Sequence, residues 1–339
     1  MRAKLLVDFG PTLTARLRCC YVPPFQLDNI ALTHRYLQHG DTPQTEGVRL
    51  VLVGEVLWDR FPDSARLGGA PLNVAVHLNR LRHHPLLVSA VGADALGEQA
   101  RQAITALGLD TRLLQSTDQH PTGSATVRFG ADGDTSFAIE RPAAYDAVAL
   151  SDATLGGIGN WNPAWIYFGT LFPSSAHSHR VLHRLLNAIP NAARFYDLNL
   201  RPGFESPALV DELLRLTDVV KVNERELQFL HEHLHLPADA EGFCRVGAER
   251  YAWRAACVTL GARGCVLRLG GAELAAAGFQ VDVADPVGAG DAFAAALIHG
   301  IASGWPVASV TRFANHAGAQ VAATPGAIPD WSTEEAFPR

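Results

Sequence analysis

The residues with the clearest chemical potential lie in the stretch 285–293, DPVGAGDAF. Gly288 and Gly290 flank Ala289, so successive backbone amides can curl into a concavity that holds an anion where a helix begins. Asp291 opens that helix, and the helix dipole favours the ionised form of its carboxylate. An ionised Asp beside bound phosphate suits a base that removes the proton of a hydroxyl. An ordinary N-cap is the alternative interpretation, since Asp is a preferred capping residue.

A second polar group follows the first predicted strand. Residues 49–59, RLVLVGEVLWD, are typical of a buried strand that ends near Gly54, which leaves Asp59 in the loop beyond its carboxyl end. In open α/β sheets, ligands bind at that edge. Gly69 permits close backbone approach, and Asn73 lies in the first turn of the next predicted helix, where its amide could hold sugar hydroxyls. A solvated polar position is the alternative for Asn73.

Two further motifs could bind a phosphorylated ligand or its metal ion, and a glycine-rich turn follows them. Arg201 follows the strand at 193–200, and an Arg at a strand end can clamp phosphoryl oxygens through two hydrogen bonds, although it could equally be solvated. Asn223 and Glu226 follow the next strand at NxxE spacing, so both face one side of the opening helical turn. Together they could order a hydrated magnesium ion. The turn between two later strands contains Thr259, Gly261 and Gly264.

One competing signal is a zinc-binding pattern. His231, Glu232 and His235 fit HExxH, which places two histidines on one helix face with Glu as a base. Pro237 ends the helix almost at once, and the chain's 14 histidines make accidental spacings common. We therefore assign these histidines to a solvated helix flank and expect no zinc between them.

Strands and helices alternate from residue 49 onward without a break in composition. This alternation predicts one doubly wound α/β sheet flanked by helices. The helix at 292–301 carries no Asp, Glu, Lys or Arg, which predicts that it is buried. At about 122–141, two alternating segments flank an ADGD turn, which is typical of a β-hairpin. We expect that hairpin to be a lid that excludes water from a substrate, and a mere edge hairpin is the alternative.

Composition bounds the class of protein. The 339 residues are 48% hydrophobic and 18% charged, as in a globular protein. The net charge of -6 does not favour binding to nucleic acid or to an anionic membrane. No apolar run is long enough to predict a membrane span. The five cysteines lack CxxC spacing, so we expect reduced thiols and a cytoplasmic protein. Neither lysine, Lys4 or Lys221, follows a glycine, which excludes a P-loop.

Seven motifs in order carry a resemblance to a known family. They are GEVLWD, LGGAPLNVA, VSAVGADALG, DLNLR, KVNERE, TLGARG and DPVGAGDAF. Through them the chain resembles the ribokinase-like PfkB carbohydrate kinases, and most of all their fructokinase-type members. The resemblance implies a ribokinase-like α/β core with a small β-hairpin lid, in an enzyme that phosphorylates a sugar hydroxyl with ATP and magnesium. It also implies a kinase domain at residues 48–332 and a homodimer that pairs through the lid.

The resemblance assigns a role to each candidate residue. Asp291 would be the base, the Gly288, Ala289 and Gly290 amides an anion hole, and Arg201 a contact to the transferring phosphoryl group. The residues that would hold the sugar are Asp59, Gly69 and Asn73. Those that would hold magnesium and the nucleotide are Asn223, Glu226, Thr259, Gly261, Gly264 and, in the adenine pocket, Asn315.

Two expectations stay open within the resemblance. Asp285 matches a potassium-site residue, but Pro286 stands where Thr is usual and lacks its hydroxyl and N–H, so potassium dependence is open. The acceptor is expected to be fructose or a related sugar, whereas relatives with similar motifs accept 2-keto-3-deoxygluconate, ribose or nucleosides. A catalytically silent sugar-binding or regulatory homologue is a further alternative, although retention of Asp291 argues for catalysis.

Residues 1–47 stand apart from this pattern. Prolines interrupt them, and patterned structure begins at Val48, which could even be the true start of the protein. We expect a poorly ordered extension, so a chain that starts at Val48 should keep the melting temperature of the full chain in a thermal unfolding experiment. Aggregation or lost turnover would instead show that the extension packs on the core, with Leu5, Leu6 and Val7 as the contacts to suspect.

Overall fold

The computed structural model describes residues 47–61, 63–129 and 135–331. The expected extension, apart from Gly47, lies outside them, and so does the predicted ADGD turn. In chain order the strands are β1 (Arg49–Val53), β2 (Leu57–Arg60), β3 (Ala65–Gly68), β4 (His84–Gly92), β5 (Leu114–Thr117), β6 (Gly123–Phe129), β7 (Thr135–Ile139), β8 (Trp165–Phe168), β9 (Ala193–Asp197), β10 (Val219–Asn223), β11 (Ala255–Thr259), β12 (Cys265–Leu269) and β13 (Ala272–Ala276). The helices are α1 (Ala70–Arg80), α2 (Ala95–Ala106), α3 (Asp152–Trp161), α4 (Ala176–Ala188), α5 (Pro207–Arg215), α6 (Glu224–Leu234), α7 (Ala240–Tyr251), α8 (Ala289–Ala302) and α9 (Val307–Ala322).

The main sheet has nine strands in the order β13-β12-β11-β10-β9-β8-β1-β4-β5. Strands from β11 across to β5 pair in parallel, whereas β12 and β13 add antiparallel pairs at one edge. The chain builds outward from β1 in both directions, first through β4 and β5 and later through β8 to β11. The carboxyl end of β1 is therefore a switch point, where open α/β sheets bind ligands.

Helices cover both faces of this sheet, as the alternation predicts. Successive side chains of a strand point to opposite faces. In β1, Val51 and Val53 accordingly join the apolar layer under α4 to α7, whereas Leu50 and Leu52 join the layer under α1, α2, α8 and α9. All residues from Ala292 to Ile298 of α8 are buried, which confirms the prediction from their lack of charge.

A second sheet of four strands has the order β3-β2-β6-β7. The predicted hairpin is present, since β6 and β7 pair antiparallel, but β2 and β3 extend it and β2 pairs in parallel with β6. The prediction that Asp59 lies in a loop is therefore wrong, because Asp59 belongs to β2. Two strands of four residues each are too short to give a clear alternating pattern. Strand β2 is held between β3 and β6, and β3 pairs with β2 alone.

The described ranges also bear on membrane association. Within them, none of the helices combines the length and the apolar character that a membrane span requires. The longest is α9, which carries the partly exposed polar face of a surface helix.

Candidate active site

The candidate site forms where the first turn of α8 meets the first turn of α1. Asp291 is the third residue of α8, and Asn73 lies in α1 after the turn that begins at Gly69. Asn73 Nδ2 donates a hydrogen bond of 2.8 Å to Asp291 Oδ2. The N-cap of α8 is Gly288, so Asp291 is not the capping residue that the alternative interpretation required.

The other side-chain oxygen of Asn73 lacks a partner. Asn73 is only 4% exposed, and its Oδ1 accepts no hydrogen bond from any residue that the structure describes. A buried acceptor without a donor costs about 1–3 kcal/mol, so such atoms in native proteins call for an explanation. A ligand hydroxyl that donates to Oδ1 would satisfy it.

Burial controls the protonation of Asp291. Loss of hydration raises the pKa of its carboxyl to about 7, and the negative charge of Asp197 acts in the same direction. The hydrogen bond from Asn73 and the cations Lys221 and Arg201 lower the pKa by smaller amounts. A carboxyl with a pKa near 7 can both accept and release a proton at neutral pH.

The predicted anion turn precedes Asp291. Gly288 has a φ of 83°, and a Cβ there would lie 2.3 Å from the Ala327 carbonyl oxygen, so glycine is required. The Ala289 N–H donates to the Pro286 carbonyl at 3.3 Å, and the Asp291 N–H donates to Gly288 at 3.1 Å. These bonds close the turn, and the one from Ala289 is longer than a typical N–H···O bond.

The positive charge of Arg201 acts on several carboxyl groups of the site. Its positive charge lowers the pKa of three carboxyls, those of Glu55, Asp59 and Asp291, against the larger effect of burial. Burial still raises the pKa of Asp59 to about 6. The strand-end Arg and the polar residues beyond β1 therefore do meet at one edge of the sheet, as the topology predicts.

Glu55 is a site residue that the sequence analysis passed over. It directly follows β1 and Gly54 and is 5% exposed, and burial raises the pKa of its carboxyl. Its Oε1 accepts the Ala70 N–H at 3.3 Å at the start of α1. Gly69 allows this approach, since its φ is 113° and a Cβ would lie 2.4 Å from the Glu55 carbonyl oxygen. The available signal was a carboxylate two residues past the end of β1, at the switch point.

A buried ion pair lies beside the anion turn. Lys221 Nζ contacts both carboxylate oxygens of Asp197, at 2.9 and 3.0 Å, and Tyr167 donates to the same carboxylate at 3.2 Å. Lys221 and Asp197 are 6% and 1% exposed, and they stand opposite each other in the pairing of β9 with β10. A Cβ on Gly290 would lie 3.6 Å from Lys221 Nζ. The lysine therefore lies next to the amides that could hold an anion.

The predicted NxxE pair forms a capping box at the start of α6. Asn223 Oδ1 accepts the Glu226 N–H at 3.0 Å, and Glu226 Oε2 accepts the Asn223 N–H at 2.8 Å. Glu226 Oε1 accepts the Leu200 N–H at 3.1 Å, which ties the loop that carries Arg201 to this helix. Each oxygen of Glu226 thus already has an amide partner, so the pair fits a magnesium ion that keeps its water shell.

The remaining nucleotide candidates lie on the β11, β12 and α9 side of the site. Thr259 ends β11, and Gly261 and Gly264 bound the short turn that leads into β12. Asn315 of α9 is buried, and its Nδ2 donates to the Ala277 carbonyl at 3.2 Å. These residues follow the carboxyl end of β11, next to the NxxE motif at the end of β10.

Asp285 has a cation as a neighbour already. Its Oδ2 pairs with Arg66 of β3 at 2.7 Å and accepts the Gly326 N–H at 3.1 Å, while Oδ1 accepts the Val287 N–H at 3.1 Å. Both oxygens of Asp285 therefore have donor partners, and one of these donors is a guanidinium. Potassium binding at Asp285 stays a prediction.

The HExxH residues do not share a helix face. α6 ends at Leu234, and His235 beyond it has a φ of 55°, in the left-handed region. His231 Nδ1 lies 2.8 Å from the Leu236 carbonyl oxygen. The left-handed turn at His235 takes this residue off the helix face on which HExxH places its two histidines.

This fold and this edge of polar residues define a ribokinase-like small-molecule kinase. Residues 63–334 match the pfkB family carbohydrate kinase model. The chain belongs to the PfkB family, and it is an enzyme of the carbohydrate kinase class.

Individual relatives agree with this assignment. A Pyrococcus horikoshii protein, described as an uncharacterized sugar kinase, is 30% identical over 280 residues, which cover 78% of this chain and 83% of that protein. Its crystal structure with ATP has a TM-score of 0.71 at 25% identity, over 84% of this chain and 96% of the other. The Escherichia coli fructokinase is 29% identical over 74% of this chain and 84% of its own length. A Vibrio cholerae fructokinase, solved with fructose, ADP and potassium, has a TM-score of 0.70 at 25% identity, over 84% and 94% of the two chains.

Proposed function

We propose that this chain transfers the γ-phosphoryl group of ATP to a hydroxyl of fructose or a related sugar, with Asp291 as the general base. The observation that carries the proposal is the pair of Asp291 and Asn73 beside the anion turn. Asn73 holds one carboxylate oxygen at 2.8 Å and leaves its own Oδ1 open for a hydroxyl donor. The base and a site for a hydroxyl thus lie on adjacent helix termini.

The reaction follows from the charges of these groups. The Asp291 carboxylate accepts the proton of the acceptor hydroxyl while the hydroxyl oxygen attacks the γ-phosphorus of ATP. The bond from the γ-phosphorus to the oxygen that bridges the β- and γ-phosphates breaks, and ADP leaves. Arg201 and the Gly288, Ala289 and Gly290 amides neutralise the charge that spreads over the phosphoryl oxygens. Little covalent chemistry is required of the protein, because positioning and charge neutralisation supply most of the rate.

The sugar and the nucleotide approach from different elements. Asp59 on β2, Gly69 and Asn73 hold the sugar beneath the second sheet, which acts as the lid. ATP binds along the ends of β10 and β11, with Thr259, Gly261, Gly264 and Asn315 around its nucleoside. Asn223 and Glu226 would hold the water shell of a magnesium ion, which when bound would neutralise further charge on the phosphates. Pairing of two lids in a homodimer stays a prediction.

The acceptor can be identified by a screen of ATP consumption over ketoses, aldoses, keto-deoxy acids and nucleosides. We expect the highest kcat/KM with fructose or a close relative. A higher kcat/KM with 2-keto-3-deoxygluconate, ribose or a nucleoside would correct the acceptor and leave the chemistry in place. ATP binding without turnover on any acceptor would identify a catalytically silent homologue.

The pKa of Asp291 sets the expected pH dependence. The base must be ionised, so kcat/KM for the sugar should fall as the pH drops through about 7, and more steeply near 6, where Asp59 also becomes protonated. Asn73→Ala removes a hydrogen bond that favours the ionised form of Asp291, so its pH profile should move to higher pH. The measurement is kcat/KM at saturating ATP from about pH 5.5 to 9. An unmoved profile with a raised KM would mean that Asn73 only binds sugar.

A further inference from the structure

One cluster of metal-binding side chains lies outside the site described above. His179 and His183 stand four residues apart on α4, and Glu212 lies on the neighbouring α5. His179 Nε2 is 3.0 Å from Glu212 Oε1, and His183 Nε2 is 2.8 Å from the same oxygen. The ligand atoms of the three residues all lie within 4.8 Å of one another. Neither the fold nor the proposed phosphoryl transfer requires this arrangement.

We propose that His179, His183 and Glu212 bind a divalent transition-metal cation of the zinc class. Two imidazoles and one carboxylate are the ligands that zinc takes in sites with three protein ligands, and a water completes the tetrahedron. Magnesium and calcium prefer oxygen ligands, so the two histidines select against them. The cation joins α4 to α5 on the surface of the protein.

The separations of Glu212 from the two histidines are already close to the spacing that zinc requires. Zinc bonds of about 2.0–2.1 Å in a tetrahedron place ligand atoms roughly 3.3 Å apart. The two observed histidine-to-glutamate separations are therefore shorter by a few tenths of an ångström, which small side-chain rotations supply. The helices themselves are fixed, because Val181 and Leu185 of α4 pack in the same apolar layer as Leu213 of α5.

The three side chains are accessible to solvent. They are 30%, 35% and 41% exposed, so the cation keeps contact with water and can enter from solvent. Among the arginines on the two helices, Arg184 pairs with Asp152, Arg215 pairs with Asp211, and Arg180 is exposed to solvent. Without metal, each imidazole can donate its Nε2–H to Glu212, and zinc binding replaces these two bonds with metal–ligand bonds.

The test uses the full chain without a histidine tag, stripped of metal and titrated with zinc alone by calorimetry. We expect one ion per chain. His179→Ala with His183→Ala should weaken zinc binding by at least 10–100-fold, because even the loss of a residue that only hydrogen-bonds to a metal ligand has an effect of that size. Glu212→Gln should also weaken zinc binding. Zinc at about 100 times its Kd should raise the Tm of the unmodified protein by about 5 °C and leave the Tm of the double variant unchanged.

The HExxH histidines supply the matched control. His231→Ala with His235→Ala removes the same number of imidazoles from a neighbouring surface, and it should leave zinc binding, bound-metal content and kinase activity unchanged. The proposal is overturned if the unmodified chain binds no zinc, or if the His179 and His183 variant binds it as tightly as the unmodified chain. Loss of the ion in the His231 and His235 variant would place it at the HExxH residues instead.

Discussion

Replacing Asp291 by alanine should leave a folded protein whose turnover is lower by roughly 10²–10⁴-fold, the usual contribution of a general base. Nucleotide affinity should barely change, because the candidate nucleotide residues lie at the ends of β10 and β11 and on α9. The measurements are turnover with the best sugar from the screen, ATP binding by calorimetry and thermal unfolding. Asp282→Ala, which removes an exposed carboxylate from the segment that precedes the anion turn in sequence, is the matched control and should keep full turnover.

The stability of the Asp291 variant gives a second, independent readout. The folded-state pKa of Asp291 is raised from 3.8 to about 7, so the folded state binds the proton more tightly and loses stability as the pH rises through that window. The alanine variant lacks this loss and should melt at least as high as the unmodified protein at pH about 8. Near-normal turnover with a lowered Tm would instead assign Asp291 a purely structural role.

Replacing Lys221 by methionine should lower the free energy of unfolding by about 3–5 kcal/mol, the cost of breaking a buried ion pair from one side. The substitution leaves the Asp197 carboxylate buried with the Tyr167 hydroxyl but without its cation. Urea unfolding measures the loss. Arg215→Met, which breaks the exposed Arg215–Asp211 pair, is the control and should cost below about 1 kcal/mol.

A double variant separates the pair from its surroundings. Lys221→Met with Asp197→Leu removes both charges, and apolar replacements of buried pairs are often neutral, so it should recover much of the lost stability. Lys221→Met should also shift the pH profile of turnover upward, because the lysine lowers the pKa of Asp291. A loss below about 1 kcal/mol for Lys221→Met would show that the pair contributes little to stability.

The main sheet was predictable because its parallel strands are buried on both faces and read as apolar runs. The second sheet was only half predictable, since β6 and β7 have a hairpin pattern whereas β2 and β3 have four residues each. Strand β2 pairs with β6, which lies more than sixty residues later in the chain. A contact at that distance leaves no local signal.

The site shows the same division between local and distant information. Each of the residues Asp291, Asn73 and Arg201 lies either just after a strand or in the first turn of a helix. The topology of the sheet therefore predicts that they lie close together. The partners of Lys221 and Glu55 depend on strand register and on the packing of α1, which the sequence does not reveal. A lone lysine inside the apolar run VVKV was the available sign of a buried partner. The two histidines of HExxH do not lie on one helix face, because the backbone turns into the left-handed region at His235.

The most direct test of the proposed function follows the γ-phosphoryl group itself. The full chain is incubated with ATP labelled at the γ-phosphate, magnesium and fructose, and the label is counted in sugar phosphate and in inorganic phosphate. The account predicts label in sugar phosphate for the unmodified chain and for Asp282→Ala, and roughly 10²–10⁴-fold slower labelling for Asp291→Ala. If no sugar, keto-deoxy acid or nucleoside takes up label from bound ATP, or if Asp291→Ala labels the acceptor at the normal rate, the account is contradicted.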